Sequence, residues 1–105
     1  MVIVETRVFT ARIVDLLSDE DYRLLQLDLV RDPEAGRVIP GTGGLRKLRW
    51  GASGRGKRGG ARVVYFWHPK SQRVLMLFAY SKNERSDLTP AQRRALRKVL
   101  ETEYP

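Results

Sequence analysis

The chain has 105 residues, 42% hydrophobic and 30% charged, with a formal net charge of +8. That suits a single domain over residues 1–105 and argues against a wholly disordered chain. With no Cys and one His, it has no disulfide framework, thiolate-bound zinc, iron–sulfur centre, thiol nucleophile or His-rich metal site, and we expect neither metal nor cofactor.

Val2 and Val4, extending to Val8 and Phe9, predict an opening strand. No targeting signal precedes it and no apolar run approaches the ~18 residues of a membrane span, so a soluble cytoplasmic protein is expected. From Thr10 on, Ile13, Leu16 and Leu17 recur at helical spacing. Ser18 has the chemistry of an N-cap, with Asp19, Glu20 and Asp21 where the helix dipole favours anions; Pro33 pushes Asp32 out of the α region. Residues 10–32 therefore read as two helices or one bent helix. Residues 34–44, with Pro40 and four glycines, read as loop. Leu45–Trp50 predicts a strand, residues 51–60 a basic glycine-rich loop, and Arg62–Trp67 a second strand with a turn at residues 68–71. The continuously apolar run Arg73–Tyr80 predicts a central strand covered on both faces, antiparallel to its predecessor because the connection is short. Thr89, Pro90 and Gln92 open a last helix reaching about Glu103. This order specifies an α+β fold: a small antiparallel sheet of three or four strands, two N-terminal helices on one face, and the C-terminal helix on the other or that face partly open.

Charge is divided unevenly along the chain. Residues 1–34 hold eight acids and four bases, residues 35–83 eleven bases and no acid, and residues 84–105 five bases and four acids. A stretch that cannot neutralise itself is the footprint of a polyanion partner, most often nucleic acid; a merely solvated basic face usually mixes signs. Residues 51–57 match GxxxxGK, yet Arg58 stands where a phosphate-binding loop needs Ser or Thr, and a strand follows instead of a helix. A loop offering Arg55, Lys57 and Arg58 to a flexible anion is the better reading. Alternation puts Lys47 and Arg49 on one face, opposite Leu48. In an antiparallel meander Arg49, Arg62 and Lys82 should converge at one edge, where cations repel unless an anion joins them. His68 lies six residues beyond Arg62, ~20 Å along a strand, and is a poor general base there. Trp50, Tyr65, Phe66, Trp67 and Phe78 read as core. Tyr80, near a strand end, can pack or stack on a base.

Four motifs follow in order: Leu45-Arg-Lys-Leu-Arg-Trp50, Gly56-Lys-Arg-Gly-Gly-Ala-Arg-Val-Val-Tyr65, Tyr80-Ser-Lys-Asn-Glu-Arg85 and Asp87-Leu-Thr-Pro-Ala-Gln92. Over about residues 39–92 this set resembles the RelE/ParE toxin superfamily, in particular the HigB-like branch of RelE. The resemblance implies a RelE-like, microbial-ribonuclease-like fold and a type II toxin that cuts messenger RNA in the ribosomal A site. It implies that Arg62 contacts the scissile phosphate, that Lys47 and Arg49 fill two basic strand positions, and that Lys82 and Arg85 match the basic positions of a Lys-Arg-Glu-Arg-Ser segment. Asn83 stands where RelE has a transition-state arginine and Thr89 where it has a catalytic tyrosine. HigB-like members often carry the Lys-Asn-Glu form, and the general base stays unassigned. The implied partners are an antitoxin of helix-turn-helix type, mRNA on the ribosome, and operator DNA only through the antitoxin; no membrane is involved.

The residues support that chemistry on their own terms. RNA cleaves when a 2′-hydroxyl attacks the adjacent phosphorus in line. Arginine and lysine donors then stabilise the phosphorane, and a lysine whose proton affinity neighbouring cations reduce can serve as base. We expect Arg62 as phosphate clamp with Arg49, and Lys57 or Lys82 in proton transfer, without metal. Arg46, Lys47, Arg55, Arg58, Tyr80, Asn83 and Arg85 are the expected RNA-binding set. Two other readings stay open: a ParE-like gyrase inhibitor and a non-catalytic RNA- or ribosome-binding module.

Overall fold

Thr6 decides where the first strand stops. Its backbone is extended and its hydroxyl accepts from the Phe9 N–H at 3.1 Å, so β1 (Val2–Glu5) gives way at once to α1 (Arg7–Leu16). Val8 and Phe9, expected in the strand, therefore lie in the helix. The structure, a computed structural model, describes residues 1–51, 60–84 and 87–104. Ser18 caps α2 (Asp19–Arg31) by accepting from the Asp21 N–H, and the helix closes at Asp32, ahead of Pro33. The N-terminal pattern thus resolves into two helices. β2 (Arg37–Val38), β3 (Arg46–Trp50), β4 (Ala61–His68) and β5 (Arg73–Ser81) follow. A reciprocal Thr89–Gln92 capping box with Pro90 then starts α3 (Pro90–Glu103).

The strands form one sheet in the order β1-β5-β4-β3-β2. β2 to β5 make the expected antiparallel meander, and β1 pairs in parallel with its last strand, so β5 is flanked by β4 and β1. The sheet is therefore five-stranded and mixed, where three or four antiparallel strands were expected. The extra strand is β2: two exposed residues inside a glycine-rich segment, too short to show any alternation.

Strand alternation sorts the core into two layers. Phe9, Ile13, Leu25 and Leu29 pack with Val63, Tyr65 and Met76 on the α1/α2 face. Leu45, Val64, Leu77 and Leu100 pack together on the α3 face. β1 pairs with β5 only as far as Met76. Beyond it, the Thr6 hydroxyl donates to the Leu77 carbonyl at 2.9 Å, and the Arg12 guanidinium donates to the Ala79 carbonyl and to the Glu84 carboxylate. Side chains thus cover the otherwise open edge of β5. Among the described residues no helix is long and apolar enough to cross a membrane.

Tyr65 ties β4 to the chain after α2. Its buried hydroxyl donates to the Pro33 carbonyl and accepts from the Gly36 N–H, both at 2.8 Å, and burial pushes the phenol's pKa up. Gly36 is required there, because a Cβ would sit 2.8 Å from the Tyr65 ring. Tyr65→Phe leaves the buried Gly36 N–H unpaired and takes the donor from the half-buried Pro33 carbonyl, so it should cost about 1–3 kcal/mol, read as a lower urea midpoint.

Candidate nucleic-acid interface

The β3–β4 register sets Arg49 directly opposite Arg62, and the β4–β5 register sets Arg62 opposite Tyr80. Val64, two residues beyond Arg62, belongs to the α3-side core, while Leu48, Trp50, Ala61 and Val63 turn toward α1 and α2. Lys47, Arg49, Arg62 and Tyr80 therefore share the α3 face of the sheet. Directly opposed side chains have Cβ atoms about 4.5–5.5 Å apart, and like charges so placed destabilise a sheet.

Arg62 is the unusual member. It is 5% exposed, whereas Arg49 lies open to solvent. Burial pushes the Arg62 guanidinium below the ordinary arginine range; the charge of Arg49 adds to this and Tyr80 opposes it. Its buried Nη1 has no hydrogen-bond partner among the described residues. Buried donors are normally satisfied, and an orphaned donor on a crowded cation is matched best by an anionic oxygen.

Lys47 flanks this pair and is held from the other side. Its Nζ lies 3.4 Å from one carboxylate oxygen of Asp87, whose other oxygen is 3.1 Å from Arg93 Nη2. Burial alone would raise the Asp87 pKa. The Leu88 N–H, Lys47 and Arg93 more than offset that and hold the carboxyl below its usual range. The stability this clasp contributes is therefore complete above pH ~4 and lost as pH falls through the depressed pKa. Asp87→Asn should lower the urea midpoint at pH 7 and lose that difference under strongly acidic conditions.

The remaining expected residues are placed differently. Arg46 is not part of the cluster: it shares the parity of Leu48 and Trp50. Its guanidinium donates to the Gly36 carbonyl at 2.8 Å and to the Glu34 carbonyl at 3.2 Å, fastening that segment to β3. Tyr80 is fully buried with its ring 6.0 Å from Phe78, so it packs and has no face to offer a base. Lys82 and Asn83 occupy the exposed turn after β5. The Lys82 N–H donates to the Gly60 carbonyl at 3.3 Å, which sets this turn beside the entry to β4. Arg55, Lys57, Arg58 and Arg85 lie outside the described residues. His68 sits at the far end of β4, stacked on Tyr104 at 4.3 Å and 2.7 Å from the Ser71 hydroxyl. Sequence reasoning missed Asp87 and Arg93, since nothing in the spacing connects Asp87 to a lysine 40 residues away.

Two opposed guanidinium groups, one buried with a donor free among the described residues, and a neighbouring ammonium make a wall suited to a phosphodiester. A family model for the RelE toxin of the RelE/RelB toxin–antitoxin system matches residues 7–103.

Proposed function

Because the chain belongs to the RelE toxin family, we propose that it is a ribosome-dependent mRNA endoribonuclease of the HigB-like branch. The family implies a cognate antitoxin, which we take to be a helix-turn-helix protein of the same operon that carries the operator-DNA contacts. The observation that carries the catalytic reading is the buried guanidinium nitrogen of Arg62, which has no hydrogen-bond partner among the described residues, opposite Arg49.

In the reaction the ribose 2′-oxygen bonds to the adjacent phosphorus and the bond from phosphorus to the 5′-oxygen breaks. The products are a 2′,3′-cyclic phosphate and a 5′-hydroxyl. One proton leaves the 2′-hydroxyl for a base, and one is delivered to the departing 5′-oxygen. Arg62 Nη1 donates to a non-bridging oxygen, where negative charge grows, and Arg49 adds a second cation. Lys82 and Lys57 are the proposed proton-transfer groups. Lys47, Arg55, Arg58, Asn83 and Arg85 are the proposed RNA contacts. This chemistry asks for no metal in the cytoplasm, where the protein acts.

Dependence on the ribosome is part of the reading the family suggests. Among the described residues the cluster holds cations to grip a backbone, while the Tyr80 ring is buried. In this reading the ribosome orients the A-site mRNA. With purified components, cutting should require ribosomes and leave 5′-hydroxyl ends. Equal cutting of free mRNA would remove the ribosome from the reading. No cutting under either condition would favour a gyrase inhibitor or a non-catalytic binder.

A further inference from the structure

Helix α2 carries two apolar stripes, and the core uses one. Leu25 and Leu29 are fully buried, whereas Leu24 and Leu27 point outward and are 36% and 44% exposed. Along that outer face the chain reads Glu20, Leu24, Leu27, Arg31, with spacings of four, three and four residues. Those spacings hold four side chains on one straight seam, as in a coiled coil. Both end residues are exposed: their side chains are 64% and 80% accessible, and among the described residues each makes a local ion pair along the helix, Glu20 with Arg23 and Arg31 with Asp28.

We propose that this seam pairs two copies of the chain, with the α2 helices antiparallel about a two-fold axis. In that arrangement Leu24 meets the partner's Leu27 twice, and Glu20 meets the partner's Arg31 twice. The seam is complementary to itself under the one symmetry that makes a closed dimer. A parallel pairing would instead set Glu20 against the partner's Glu20 and Arg31 against the partner's Arg31. RNA is a poor occupant, because residues 1–34 carry eight acids against four bases. The seam also lies on the layer opposite Arg49 and Arg62, so pairing leaves both cationic clusters open. Two leucine layers per copy make a small interface, so the dimer is weak and exchanging. The inference does not rest on the catalytic reading.

Sedimentation equilibrium of the free full-length chain, from about 1 μM to about 1 mM, tests it. We expect a reversible monomer–dimer equilibrium. Leu27→Asp should raise the dissociation constant at least about tenfold while the circular dichroism stays that of the wild type. Arg31→Glu sets carboxylates against each other and should also weaken the dimer; Glu20→Arg combined with Arg31→Glu should restore it. A monomer at every concentration, a dimer indifferent to Leu27→Asp, or a double swap no better than the single one would overturn the proposal. So would loss of antitoxin binding in Leu27→Asp with dimerisation unchanged, which would assign the seam to the antitoxin.

Discussion

Arg62→Met should slow cleavage about 10²–10³-fold and, in the same protein, raise the melting temperature. The two effects have one origin. Arg62 is a buried cation facing a second cation, with one donor that no described residue satisfies. In the free protein that arrangement opposes folding; when a phosphodiester arrives it supplies charge and hydrogen bonds where the transition state needs them. Methionine keeps the length and removes the charge. Losing one such donor in comparable sites costs about 10²–10³-fold in rate. Replacing poorly compensated buried charge by an apolar chain gains about 1 kcal/mol or more, roughly 4–8 °C for a domain of this size. Ribosome-dependent cleavage assays and thermal unfolding of the same preparation check both. A variant that lost activity and stability together would mark Arg62 as structural, not as a strained functional group.

Gly60→Ala should damage the cluster without touching any of its charges. Gly60 leads into β4 directly beside the end of β3, and a Cβ there would lie 2.2 Å from the Trp50 carbonyl oxygen and 2.9 Å from the Gly51 Cα. Both are backbone atoms, so the strands must separate. The first pairs to yield are Trp50–Ala61 and Arg49–Arg62. The Lys82 N–H also reaches the Gly60 carbonyl, so the turn after β5 shifts with them. Forced overpacking of this kind costs about 1–3 kcal/mol. Misplacement of reacting groups by ~1 Å costs about 10²-fold in rate. A lower melting temperature together with slowed cleavage is the expected result. Wild-type values for both would mean that close contact between β3 and β4 does not set the cluster.

What could be read from the chain follows from which forces are local. The caps at Ser18 and Thr89, the break before Pro33 and the apolar run of β5 are short-range signals, and all stand in the structure. Thr6 is the same kind of signal, but the valines around it imitate a strand, which is why Val8 and Phe9 read as extended. Alternation placed Lys47 and Arg49 together. The same rule, applied strictly, separates Arg46 from them, since it shares parity with Leu48. Long-range features left no trace in the spacing. The parallel return of β1 to β5, the Asp87 bridge from Lys47 to Arg93 and the burial of Tyr80 each depend on how distant elements dock. The outward Leu24 and Leu27 on α2 emerge only from burial, which shows that they face away from the core.

Primer extension on cellular mRNA after induction of the wild type and of Arg62→Met, at matched protein levels, tests the phosphate-gripping role of Arg62 most directly. The wild type should produce new 5′ ends within translated codons, and the variant should produce them at about a hundredth of that level or less while remaining folded. New ends of equal number and position in both would contradict the account.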